Sequence, residues 1–461
     1  MEKKSLWLTY SPERKAECFA FNEEYKAFMS AAKTERESVT EVIKMAKAKG
    51  YRDLYEVIAE GGRLVPGDKV YANNRGKAAM FVQIGSEDLE KGLKILGAHV
   101  DSPRLDFKQN PLYEDSEFAM VKTHYYGGIK KFQWVTLPLA IHGIICKKDG
   151  TSVNVNIGED AGDPVFGISD ILPHLGKDQN GKSIGEAFTG EDLNLNIGSI
   201  PAEGEEKNAV KKNILNILKD KYGMEEEDFL SAELEVVPAG PARDLGLDRS
   251  MVYAYGHDDR VCAYTSAAAQ FALADTIPDR AYVTLLVDKE EIGSVGATGM
   301  HSRFFENCMA EIMNLTGGYS ELKLRRCLSN SCMLSSDVSA GFDPNFPGVH
   351  EKMNAPFFGY GPVLSKFTGS RGKGGSNDAG PEFIASLRDI FEKDEVAFQM
   401  AELGKVDQGG GGTIAYILAQ YSMDVIDVGV ALHNMHAPWE LASKADIFET
   451  YRAYISFLTK M

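Results

Sequence analysis

No stretch of this chain stays apolar for the roughly 18–20 residues that a membrane-spanning helix needs. The opening "MEKKSLWLTYSPERKAECF" holds too short an apolar run for a secretory signal. Cysteine is scarce and scattered: Cys18, Cys146, Cys262, Cys308, Cys327 and Cys332 form no CxxC pair and no framework spacing. That excludes a disulfide scaffold and a structural zinc knuckle, and fits the reduced thiols of a cytoplasmic protein. Basic charge falls short as well, with 50 Lys and Arg against 67 Asp and Glu and a formal net charge of −17. So acidic a balance argues against nucleic acid or an anionic membrane surface as the main partner. No internal repeat and no low-complexity tract is present.

What is present is an ordinary globular composition, 44% hydrophobic and 25% charged over 461 residues, enough for two or three domains of about 100–200 residues each. Residues 11–50 read as helical, with "TERE" (Thr34 to Glu37) as a capping box and Gly50 as a C-terminal cap. "KVYANNRGKAAMFVQIG" reads as a hairpin around "NNRG", and "KILGAHVDSPRL" as a short strand ending in His99 and Asp101. Residues 105–245 differ in texture, with short strands, "KKDG" as a turn and a helix near 205–222. After 246 strands and helices alternate: "SMVYAYGHD", "RVCAYTSAAAQFALADT", "AYVTLLVD", "CMLSSD", "NDAGPEFIASLRDIFEKD", "MDVIDVGVAL", then a final helix from about 440. The expected fold is α/β, a mixed sheet flanked by helices. It is built from residues 1–104 and 246–461 and interrupted by a β-rich insertion over 105–245.

In such sheets ligands collect at the carboxyl ends of strands. The polar residues there are His99 and Asp101, Asp258 and Asp259, Glu290 and Glu291, Asp337, and His436. Taken singly each has a bland reading: a chance HxD, an acidic turn, a pair of core histidines, a helix's first turn. Their recurrence at successive strand ends carries the argument. Two metals about 3.5–4 Å apart need a bridging carboxylate, and each then takes a His and another carboxylate. Asp258 suits the bridge, with His99 and Asp337 on one metal and Glu291 and His436 on the other. Asp101, two residues past His99, is suited to accept its second ring N–H. Glu290 remains off the metals, able to take the proton from a bridging water and pass it to a leaving amine. On an extended segment the two glutamates would point to opposite sides.

Rival signatures fail: "HEKMN" lacks the second His of HExxH, no GxSxG is present, and "GSRGKGG" lacks P-loop spacing. The "QGGGGT" run, including Gly411 and Gly412, can bring main-chain amides up to a substrate or act as a plain loop.

"GAHVDSPRLDFK", "HDDR", "VDKEEIGSVGATG", "LSSDVSAGFDPNFP", "GGGTIA" and "NMHAPWE", in this order, resemble the aspartyl aminopeptidase and vacuolar aminopeptidase I family of metallopeptidases. The resemblance implies a dizinc exopeptidase that removes the N-terminal residue of peptides. Its ligand pattern falls on His99, Asp258, Glu291, Asp337 and His436, its general base on Glu290 and its His-orienting aspartate on Asp101. Cobalt or manganese would also suit those donors. The resemblance further implies a β-rich dimerisation domain within the catalytic domain and a homo-oligomer, a tetrahedral dodecamer with sites facing an inner chamber. Departures are Ala340 and Asn354 where eukaryotic members carry histidines, which suggest a bacterial-type branch. The insertion-domain histidine that reaches a neighbouring site has His174 as its nearest counterpart, although ungapped matching puts Asp178 there. Lys366 or Arg371 could pair with an acidic substrate side chain. A carboxypeptidase or an N-acyl amino acid deacylase would share these ligands. A non-catalytic assembly protein would not need a bridging aspartate beside an uncommitted glutamate.

Overall fold

The computed structural model describes residues 4–461. They divide into two compact units: one comprises the chain up to Ser102, Ala242–Met435 and Glu440–Met461, the other Pro103–Pro241 together with His436–Trp439. His436 thus groups with the second unit rather than with the chain on either side of it.

The first unit is built on a nine-stranded mixed sheet. Its strands in chain order are β1 (Arg52–Asp53), β2 (Lys69–Asn74), β3 (Ala78–Gln83), β4 (Lys94–His99), β5 (Tyr282–Val287), β6 (Cys332–Ser335), β7 (Val363–Ser365), β8 (Gln399–Met400) and β9 (Asp424–Gly429). The spatial order is β1-β2-β3-β5-β4-β6-β9-β7-β8. The central four, β5-β4-β6-β9, are parallel, with Val287 opposite His99, Ser335 opposite Gly97 and Ser335 opposite Asp427. Their carboxyl ends therefore finish side by side. Every residue of β4 and β5 is buried, because both sheet faces are covered. Val283, Leu285 and Met333 pack on one face with Phe305 and Ile312, while Leu286 and Ala98 pack on the other with Val261 and Tyr264.

Helix α1 (Pro12–Ala31) is capped by Ser11, and α2 (Glu35–Ala48) opens with the Thr34–Glu37 capping box. Helix α3 (His257–Ala272) is buried over nearly its whole length and α4 (Lys444–Lys460) over most of its own. Two expectations change. "MDVIDVGVAL" is not one strand: β9 ends at Gly429, and Ala431–His433 joins a separate five-stranded sheet with Met251–Ala254 and Glu440–Ser443. The break falls where the chain presses against Asp337, since a Cβ on Gly429 would sit 1.9 Å from the Asp337 carbonyl oxygen. The final helix starts at Lys444, because Glu440–Ser443 pairs antiparallel with Met251–Ala254 instead of coiling.

The second unit holds a six-stranded antiparallel sheet ordered Ser152–Ile157, Leu139–Cys146, Ala232–Pro238, Arg104–Asp115, Phe118–Tyr126, Leu195–Gly198, and a helix over Ala209–Tyr222. Among the described residues no helix is long and apolar enough to cross a membrane.

Candidate metal centre

His99 is the last residue of β4, and Asp101 follows it. Glu290 and Glu291 follow β5, and Asp337 follows β6. Asp258 comes from the other sheet: Met251–Ala254 ends at Tyr255–Gly256, and α3 begins at once. Gly256 has φ +69°, and a Cβ there would lie 1.8 Å from a guanidinium nitrogen of Arg260, so only glycine admits that close approach. Arg260 in turn donates to the carbonyls of Gly256 at 3.0 Å, of Tyr255 at 2.6 Å and of Ala32, tying the turn down. Asp258 and Asp259 have non-helical dihedrals inside α3, and the peptide bond between them is cis.

These residues converge within the first unit. His99 Nε2 lies 3.2 Å from Asp258 Oδ1 and 3.9 Å from Glu290 Oε2. Its other ring nitrogen, Nδ1, is 3.0 Å from the Asp101 main-chain oxygen and 3.3 Å from its Oδ1. One face of the imidazole edge is thus held by Asp101, and the other is presented to the acids. Donor atoms of His99, Asp258 and Asp337 all lie within 4.8 Å of one another, as do those of His99, Glu290 and Glu291, and those of Asp258 and Glu291. Ligands about 2 Å from one zinc ion are at most about 4 Å apart; the 3.2 Å between His99 Nε2 and Asp258 Oδ1 lies within that span, and the His-and-carboxylate chemistry of the donors suits zinc.

The glutamates do not lie on an extended segment. Glu290–Ile292 forms a 3₁₀ turn entered through Lys289 at φ +68°, with both glutamates half-buried. The Glu290 and Glu291 main-chain N–H groups donate to Asp101 Oδ1 and Oδ2 at 3.1 and 3.2 Å. The turn therefore aims both carboxyls from one short segment, and the same aspartate that steadies His99 holds that turn.

Several supports carry no motif in the sequence. Ser102 Oγ donates to the Asp258 carbonyl at 2.6 Å, and the Asp258 N–H donates to Glu440 Oε2 at 3.0 Å. Asp259, fully buried beside His99, has its carboxyl pushed up by burial first and then by Asp258's charge, although His99 opposes this. Glu440 could not be identified from "PWEL", because its role depends on strand pairing across the second sheet.

Burial alone would lower the His99 pKa. The hydrogen bonds to Asp101 and Asp258 outweigh it and raise the ring well above its ordinary value. Asp337 is raised by burial first, then by the charges of Asp259 and Glu290. A divalent cation reverses this logic, since it offsets the crowded carboxylates and takes the imidazole lone pair.

Each of the remaining sequence-derived residues has its own surroundings. Lys366 is half-exposed, 3.9 Å from Asp378. Gly410–Gly411 pairs with Gly369–Ser370 in a two-stranded ladder, and a Cβ on Gly411 or Gly412 would meet open space. His174 is exposed on the second unit. His436, at φ +67°, has Nδ1 2.9 Å from the Gly128 carbonyl oxygen.

A family model described as aminopeptidase I zinc metalloprotease (M18) matches residues 28–458. A probable M18 family aminopeptidase 1 of Clostridium acetobutylicum is 62% identical over 458 residues, covering 99% of this chain and 98% of its own. Its counterpart in Thermotoga maritima is 48% identical over 462 residues, covering 100% of each. The crystal structure of an M18 family aminopeptidase from Thermotoga maritima superposes with a TM-score of 0.94 at 48% identity, covering 100% of each chain. That of aminopeptidase I from Clostridium acetobutylicum gives 0.93 at 60% identity, over 100% of this chain and 99% of its own. The mixed α/β architecture is theirs. A Saccharomyces cerevisiae structure described as a dodecamer shares the fold at TM-score 0.75 and 21% identity, over 94% of this chain and 95% of its own.

Proposed function

The chain belongs to the M18 family of zinc aminopeptidases, and on that premise we propose how its own residues carry out the hydrolysis of a peptide's N-terminal residue. His99, Asp258 and Asp337 hold one metal ion, and Asp258, Glu291 and His436 hold a second. The observation that carries this reading is the position of Asp258, whose carboxylate is close both to His99 and Asp337 and to Glu291. When bound, the cations would supply Lewis-acid polarisation of the scissile carbonyl and lower the pKa of the attacking water. Glu290 takes the proton of the attacking water and returns it to the departing amine. Asp101 keeps the His99 Nδ1 edge occupied, so that Nε2 faces the metal.

The Gly411 and Gly412 amides and Lys366 border the peptide. His174 reaches a neighbouring subunit's site in a homo-oligomer, with the yeast dodecamer as the pattern. Six free thiols agree with a cytoplasmic setting.

A panel of aminoacyl chromogenic substrates carrying Asp, Glu, Leu and Lys, run beside N-acyl amino acids with Zn, Co or Mn, tests the activity. Turnover of the aminoacyl set is expected; turnover of only the N-acyl set would overturn the reading. Asp101→Asn is expected to lower metal affinity or activity about 10–100-fold. Its amide cannot accept from His99 and both glutamate N–H groups at once, so one buried donor faces another. Chelator competition and kcat together check this.

A further inference from the structure

Beneath the turn that carries Glu290 and Glu291 lies a buried ionic group that the proposed chemistry does not use. Asp288, directly after β5, is fully buried. Its Oδ2 accepts from Thr298 Oγ1 at 2.6 Å, its Oδ1 accepts from the Lys289 N–H at 2.8 Å, and its own N–H donates to the Thr298 carbonyl at 3.2 Å. Lys77 Nζ, from the β2–β3 hairpin, lies 3.7 Å from that Oδ2 and 2.7 Å from Glu35 Oε1. Glu35 is fully buried in the first turn of α2. Lys77 is thus a buried cation between two buried carboxylates, supplied by three separate parts of the unit. From the solvent side, Lys289 Nζ adds a second contact to Asp288 at 3.2 Å.

Such a group is a poor source of net stability. Replacing buried ion pairs by apolar residues of similar volume is often neutral or better, while removing one partner alone is costly. Its value must lie in geometry. The turn it supports has Lys289 and Ser294 at φ +68° and +60°, a conformation that β-carbon-bearing residues keep only when their surroundings impose it. Two anchors impose it here: Asp101 receives the Glu290 and Glu291 N–H groups, and Asp288 receives the Lys289 N–H.

We propose that Asp288, clamped by Thr298 and by the Lys77–Glu35 pair, is a positioning residue that fixes the Lys289–Glu291 turn against Asp101 and so sets where the Glu290 carboxylate stands. The inference rests on the reading of Glu290 as the base. Asp288 itself exchanges no proton and touches no substrate. A base misplaced by a fraction of its hydrogen-bond reach loses rate while substrate binding persists.

The test uses the full-length, zinc-loaded enzyme with D288N, K77M, the double variant and E290Q in parallel. For D288N and K77M, kcat is expected to fall about 10–100-fold, the range for partners that orient reacting groups, with KM within about twofold and zinc content unchanged. The double variant should lose less than the product of the two single losses, because both changes act on the same support of Asp288. Thr298→Val keeps the charges and deletes one hydrogen bond, so it serves if D288N does not fold; about a fivefold loss of kcat is expected. Wild-type kcat in D288N or Thr298→Val with only a lower Tm, or strict additivity in the double variant, would overturn the brace. Undiminished activity in E290Q would instead overturn the assignment of the base.

Discussion

Glu290→Gln is expected to keep its zinc and lose catalysis, with kcat lower by about 10²–10⁴-fold and KM little changed. Glutamine preserves the shape of the side chain and its fit in the 3₁₀ turn, yet it cannot accept a proton. The main-chain N–H of residue 290 would still donate to Asp101, so the turn itself has no reason to move. Zinc content separates two assignments that the distances alone leave side by side. Glu290 Oε2 lies 3.9 Å from His99 Nε2, and His99, Glu290 and Glu291 by themselves form a possible ligand set. If Glu290 were a ligand, the variant would lose metal along with activity. If it is the base, the variant holds zinc normally. Elemental analysis of the purified variant beside its kcat gives the answer.

Asp258→Asn is expected to lose both bound zinc and activity, with a fall in rate on the order of a thousandfold or more. Lewis-acid stabilisation of developing charge is worth several kcal/mol, and each 1.4 kcal/mol or so is tenfold in rate. Two cations close together repel each other, and an anionic bridge offsets that repulsion where a neutral amide does not. The substituted residue would still receive Ser102 at its carbonyl and donate its N–H to Glu440, so the fold at that turn should survive. Metal content and circular dichroism together distinguish a lost ligand from a lost fold. The same site should release zinc more readily in acid. Its neighbours raise the His99 pKa well above the ordinary value when no cation competes, so metal uptake must displace a proton, and falling pH favours the proton. Dialysis against chelator at pH 5.5 and pH 8 should leave less zinc at the lower pH; equal retention would contradict His99 as a ligand.

The proposed donor set rests on one line of argument. An apolar run buried on both faces announces a central strand, and polar residues at its end have only the sheet's edge to occupy. "KILGAH" and "YVTLLV" are such runs, and they pair in parallel so that His99 stands beside Val287. Asp337 follows for the same reason, after "CMLS". The strand-end rule that proposes Asp258 does not quite hold for it, because its strand belongs to the five-stranded sheet. Proximity to the site comes instead from the Gly256 turn and Arg260, which bring the start of α3 toward the end of β4.

Local pattern settled the parts of this protein whose causes are local. The Thr34 capping box, the hairpin around "NNRG", the both-face burial of β4 and β5, and the type of each proposed ligand depend on residues within a few positions of one another. Tertiary structure alone decided where "MDVIDVGVAL" breaks, since the main chain of Asp337 occupies the space a side chain at Gly429 would need. It also turned Glu440 and Asp288 from ordinary acids into supports for Asp258 and for the glutamate turn. The adjacent glutamates show the division most plainly. Their identity marks a charged strand end, but their orientation is imposed by Asp101 from another strand, and hydrogen bonds between residues 189 and 190 positions apart leave no periodicity to read.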